Sequence, residues 1–181
     1  MVTWTEQLRQ ARDIEQKVKE LLRGRGLDVR DGTTRKHRVG LSIKTTDEDL
    51  HLYDKQGNYV GWVSVKATGV TDRHKLPEAY KRSGRGYMVG EVRSLQWRNP
   101  PICFVWYNKL TGYAFGALCL SLDELLVYPE DGEPVVDTRK SALRGETVYC
   151  HPSYVIPPQE TLDIDELAKQ LTTATAVPGD N

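Results

Sequence analysis

Residues 59–68 read YVGWVSVKAT, and in that run Ser64 and Lys66 stand two apart. On a β-strand such neighbours leave on the same side, so a hydroxyl and an ammonium point together. Upstream lies the acidic triplet Asp47-Glu48-Asp49, and further upstream Glu15. Carboxylates beside a lysine suit phosphodiester hydrolysis, which asks for a metal-activated water and for positive charge near the developing phosphorane. Each residue also has an ordinary reading: Lys66 as a strand-end lysine in solvent, Asp49 as a turn aspartate, Ser64 as part of a plain amphipathic strand.

The elements that must position these residues follow from pattern. Thr3 and Glu6 stand at capping-box spacing and open a helix that Gly24 and Gly26 end. Along it Trp4, Leu8, Ala11, Val18 and Leu22 recur in steps of three and four and predict the packed face. Glu15 falls in that row, which implies a partner or a metal-bound water; alternatively Ile14 takes the buried place and Glu15 reaches solvent from the stripe's edge. Short strands are expected at 27–30 and 39–43, with Asp31-Gly32 as a turn and Arg35-Lys36-His37-Arg38 as a charged loop able to meet phosphate.

Residues 49–53 and 59–67 form a hairpin around Lys55-Gln56-Gly57-Asn58. If a four-residue loop pairs Asp54 with Tyr59, then Asp49 faces Ser64, Asp47 faces Lys66, and Leu50 opposite Val63 builds an apolar reverse face. Residues 69–86 read as a basic loop carrying Arg73, Lys75, Lys81, Arg82 and Arg85, and a helix is expected at 90–97 before Asn99-Pro100-Pro101. Strands at 102–107 and 113–120, a brief helix after the capping box Ser121–Glu124, a small hairpin of Val135-Val136 with Val148-Tyr149, and a helix at 161–171 complete the chain. The expected fold is α/β (α+β), a single domain with a central mixed sheet flanked by helices.

A helix with an inward glutamate, a strand aspartate, a hairpin, a lysine at the end of the next strand, then a helix and two strands resembles the PD-(D/E)xK nuclease-like superfamily. The resemblance covers roughly residues 4–126 and implies a restriction-endonuclease-like core, Mg²⁺ or Mn²⁺ as cofactor, and DNA as substrate. By position it implies catalytic roles for Glu15, Asp49, Ser64 and Lys66, with Asp49 and the Val65 carbonyl as metal ligands. Ser64 stands where the family carries an acid, and a neutral hydroxyl is a weak Mg²⁺ ligand. The site is either a one-metal variant or a catalytically inactive relative that keeps nucleic-acid or protein binding.

Composition fits a folded globular chain: of 181 residues, 39% are hydrophobic and 28% charged. No run is long and apolar enough for a membrane span and no signal-peptide pattern is read, so a cytoplasmic location is expected. Cys103, Cys119 and Cys150 suit neither a disulfide framework nor zinc spacing and read as reduced core residues. Trp62, Trp97 and Trp106 have apolar neighbours that favour core packing over base stacking. Net charge is zero, yet residues 1–117 hold 21 Lys+Arg against 13 Asp+Glu, and residues 118–181 hold 4 against 12. The basic part predicts a DNA-binding surface through Arg35, Lys36, Arg38, Arg73, Lys75, Lys81, Arg82 and Arg85. The expected organisation is a nuclease-like core at 1–126, an acidic extension at 127–171 open to a protein partner, and a disordered tail at 172–181, with a homodimer as a further option.

Overall fold

The computed structural model describes residues 4–76, 86–129, 133–136 and 138–176. Helix α1 (Trp4–Arg23) ends at the expected glycines, with the Gly26 N–H bonded to the Arg23 carbonyl and the Leu27 N–H to that of Leu22. Thr3, the expected cap, lies outside the described residues. The packed stripe starts later than predicted. Ile14, Val18 and Leu22 are buried, whereas Leu8 is 45% exposed and Ala11 is exposed, because only the C-terminal half of α1 lies on the core.

The strands in chain order are β1 (Asp28–Asp31), β2 (Thr34–Val39), β3 (Ser42–Asp47), β4 (Leu50–Tyr53), β5 (Tyr59–Ala67), β6 (Tyr87–Glu91), β7 (Cys103–Tyr107), β8 (Ala114–Leu118), β9 (Leu126–Tyr128), β10 (Val135–Val136), β11 (Tyr149–Cys150), β12 (Ser153–Ile156) and β13 (Leu162–Asp163). The fold class is the expected α/β, built on a mixed six-stranded sheet ordered β1-β4-β5-β7-β8-β13. Only β5 and β7 run parallel, and residues 68–102 supply the long return that parallel pairing requires.

The chain divides into two compact units. The first comprises Met1–Arg73, Pro101–Cys119 and Thr161–Asn181, the second His74–Pro100 and Leu120–Glu160. In the first, Val29, Leu50, Leu52, Val63, Cys103 and Val105 project from one sheet face against Ile14, Val18 and Leu22 of α1 and against Leu167 and Leu171 of the closing helix, Ile164–Ala174. That helix, capped by the Asp163 carboxylate, thus packs on the main sheet and continues three residues into the stretch predicted as a tail. The opposite face carries Trp62, Phe104, Trp106 and Phe115, all buried, with Trp106 stacked on Phe115 at 5.3 Å. The tryptophans Trp62 and Trp106 are therefore core residues, as are the buried thiols of Cys103 and Cys119.

The second unit holds the antiparallel sheet β6-β12-β9 and the two-stranded sheet β10-β11, in which Val135-Val136 pair with Tyr149-Cys150 across an intervening helix, Thr138–Arg144, and not with Val148-Tyr149 in a simple hairpin. The helix expected at 90–97 is shorter, Val92–Leu95, because the residues before it pair with β12. Ser121 accepts a bond from the Asp123 N–H and starts a single 3₁₀ turn, Leu122–Glu124. No helix is long and apolar enough to cross a membrane among the described residues.

Candidate active site

The hairpin β4-β5 sets the site. Tyr53 pairs with Tyr59, not Asp54 with Tyr59 as expected, because Asp54 turns its carboxylate onto the Gln56 and Asn58 N–H groups and closes the turn itself. A bulge before Gly61 then restores the expected register, with Leu50 opposite Val63 and His51 opposite Trp62. Asp49 comes next in line, facing Ser64. There the strands part: the chain before Leu50 belongs to β3, while β5 runs on to Ala67 paired with β7 alone.

Asp49 bridges this gap. Its Oδ2 accepts the Val65 N–H at 2.7 Å and lies 3.5 Å from the Ser64 hydroxyl. Ser64 is buried, so it props the carboxylate and is not itself open to ligand. A strand residue's N–H and C=O leave on the same edge, so the Val65 carbonyl faces the side on which Asp49 stands. Alternation puts Lys66 with Ser64, on the sheet face opposite the one that α1 covers.

On the α1 side a cleft of about 540 Å³ is lined by Glu15, Asp31, Asp47, Glu48 and Asp49, with Arg12 as its one cationic residue. Glu15 is half-buried there, and its carboxyl is pushed up to about 7 by burial and then by the Asp49 charge, against the pull of Arg12. The sequence row of α1 thus delivers Glu15 to Asp49. Lys66 does not line this cleft.

Asp47 departs from its expected place. It pairs with Thr34 across a separate two-stranded sheet, β2-β3, and not with Lys66. The run Arg35-Lys36-His37-Arg38 is strand β2 and not a loop, and the strand expected at 39–43 is broken by a turn at Gly40-Leu41, with Val39 closing β2 and Ser42 and Ile43 opening β3. The cause is Gly40, whose φ of +60° supplies the first position of a two-residue hairpin turn. Gly32 makes the joint with the main sheet: its N–H bonds the Asp49 carbonyl, and a Cβ there would overlap the Glu48 carbonyl.

His51 and Tyr59 were not singled out from the sequence, and Glu48 was read only as a member of the acidic triplet that could help Asp49 hold a metal. The Glu48 side chain, 2% exposed, gathers three donors on Oε2: Arg35 Nε at 2.8 Å, His51 Nε2 at 2.7 Å and the Tyr59 hydroxyl at 3.3 Å. The bond fixes the His51 proton on Nε2. Burial and the Glu48 charge push the Tyr59 phenol up to about 12. The signal that could have found this group was the Gly40 turn, which pairs Arg35 with Thr46 and brings its guanidinium back to Glu48.

Of the residues expected on nucleic acid, Arg35 is therefore committed to Glu48, and Arg73 donates to the Thr161 carbonyl and hydroxyl within the first unit. Lys36, Arg38 and Lys75 are exposed. Lys81, Arg82 and Arg85 lie outside the described residues.

Among the described residues no three His, Cys, Asp or Glu side chains converge into a metal cage. Mg²⁺ does not need one, since it commonly takes one or two carboxylates and completes its octahedron with water and substrate phosphate. Glu15 and Asp49 crowd each other's charge, and carboxylate oxygens are donors of the hard-oxygen kind that this ion prefers. No protein-family model matches the chain, no curated protein is significantly similar to it in sequence, and no solved structure is significantly similar in fold.

Proposed function

We propose that the chain is a divalent-cation-dependent, endonuclease-like protein acting on DNA, of the PD-(D/E)xK kind, with a non-standard site at Asp49, Ser64 and Lys66. The observation that carries the reading is the meeting of the Glu15 and Asp49 carboxylates in one cleft where β4 and β5 part. The order of α1, the antiparallel set β1-β4-β5 and the parallel return to β7 supports it. A bound Mg²⁺ or Mn²⁺ would supply an activated water and neutralise phosphate charge. Asp49, held by the Val65 N–H, is the positioned ligand; Glu15 is the second carboxylate, and Val65 offers its carbonyl. Lys66 contributes positive charge from the far side of β5.

One observation favours a second reading. Ser64 is buried under Asp49 and Lys66 lies outside the cleft, which suits an inactive relative that binds nucleic acid without cutting it. Plasmid nicking under titrated Mg²⁺ and Mn²⁺ separates the two. The nuclease reading expects slow metal-dependent nicking, abolished in Asp49→Ala and not improved by Ser64→Glu, whose side chain leaves on the face away from the cleft. Duplex binding with no nicking by any variant establishes the inactive reading. Equal nicking by wild type and Asp49→Ala means that a contaminant cuts, and removes the nuclease reading.

A further inference from the structure

Among the described residues the hairpin β2-β3 is a two-stranded sheet of its own, six residues long in each strand. At about 3.4 Å per residue it reaches roughly 20 Å. Its base is fixed by the Arg35–Glu48 pair and by two backbone bonds, Gly32 to Asp49 and Glu48 to Thr33. Its outer part is exposed.

Burial along β2 alternates. Arg35, His37 and Val39 are half-buried, while Thr34, Lys36 and Arg38 are exposed. Cross-strand pairing adds Asp47, Thr45 and Ile43 to the exposed face. The same face therefore runs from Thr34 and Asp47 in the cleft wall, through Lys36 and Thr45, to Arg38, Ile43 and the tip. At the tip Leu41 is fully exposed and Ile43 is 72% exposed. Residues 34–47 hold four Lys or Arg against one Asp, and the basic side chains discourage pairing of either ribbon edge with another strand.

We infer that β2-β3 is an arm that lies in the major groove of duplex DNA, with the Lys36, Arg38 and Ile43 face toward the bases and phosphates and the cleft at its root. The inference rests on the DNA reading above and adds the surface and the mode of contact. Dimensions select the groove: two strands with their side chains fit the ~12 Å major groove and not the ~6 Å minor groove. Chemistry agrees. Arg38 presents a planar fork suited to a guanine edge, Lys36 a point charge suited to phosphate, and Ile43 and Leu41 apolar surface suited to thymine methyls. Arg35 holds the arm and does not touch DNA.

The test uses the full chain without divalent ion and a fluorescent duplex of roughly 20 base pairs, about two helical turns. Anisotropy is followed from ~50 to ~200 mM salt. Two proteins are compared with wild type: Lys36→Ala/Arg38→Ala, and a chain in which residues 37–44 are replaced by Asn-Gly, which keeps the pairs at the base of the arm. Thermal unfolding confirms that both fold. The expected results are a loss of tenfold or more in affinity for each, a log–log salt slope smaller by about 2 for the double variant, and guanine N7 protection from dimethyl sulfate in wild type alone.

Unchanged binding by the trimmed chain, or protection confined to the minor groove, overturns the arm. So does an arm found instead to join two copies of the chain or to bind vesicles while duplex binding is unaffected by its loss. If trimming leaves binding intact while the plasmid is still nicked, the arm fails and the cleft reading stands; if trimming abolishes binding and nothing nicks, the arm stands and the nuclease reading fails.

Discussion

Glu15 is where a single side chain reports on the site. Its folded carboxyl titrates near 7 against an ordinary value of 4.5, so the folded state keeps a proton that the unfolded chain has released. The contribution of Glu15 to folding stability is therefore most favourable below about pH 4.5, falls as pH rises toward 7, and levels above it. Urea midpoints measured from pH 4.5 to 8 should show this decline in wild type and a flatter profile in Glu15→Gln. A profile unchanged by the substitution would mean that the carboxylate is solvated and remote from Asp49. Lys19, on the same helix, solves the opposite problem: its ammonium is buried and meets Asp31 at 2.7 Å. Sequence periodicity placed Glu15 on the inner row because Val18 and Leu22 fix the helix phase. It could not foresee that the buried stripe begins only at Ile14.

The elements that make the site depend on two glycines of different kinds. Gly40 turns the ribbon, and Gly32 lets the backbone at Glu48 and Asp49 come close. A methyl at Gly32 meets backbone, which cannot swing aside. Gly32→Ala should cost at least ~2 kcal/mol by denaturant unfolding, near the upper part of the range for overpacking, whereas an alanine at exposed Thr33 should be nearly neutral; equal effects would show that the close approach is not needed. The β4-β5 register was legible because Leu50, Leu52, Val63 and Val65 must share one apolar face, and a slip of one residue would expose them all. The β2-β3 arm was not legible. Its residues are charged, it buries little, and the alternation that marks a strand half-sunk in a core is faint when neither face is covered. The Val39-Gly40-Leu41-Ser42 turn was its clearest local sign. The site was legible as a set of residue types, with Glu15 and Asp49 brought together. The partnership of Glu48 with Arg35, His51 and Tyr59 depends on the three-dimensional course of a hairpin that was read as a loop.

At the scale of the whole molecule the charge asymmetry along the chain dissolves. The first unit holds 16 Lys+Arg against 15 Asp+Glu, and the second 9 against 10, because the acidic closing helix returns to the main sheet. Neither unit is a broad polycation, so on the proposed reading any attraction to DNA is local to the arm, and the acidic cleft at its root would admit phosphate only with a cation between them. The central claim is thus that Glu15 and Asp49 share one divalent ion. Mn²⁺ titration followed by electron paramagnetic resonance tests it directly on wild type, Glu15→Gln and Asp49→Asn. The account predicts one bound Mn²⁺ per chain in wild type, with affinity reduced in both variants by at least the roughly tenfold that even an outer-shell change costs. No bound ion in wild type, or binding that neither substitution alters, would contradict it.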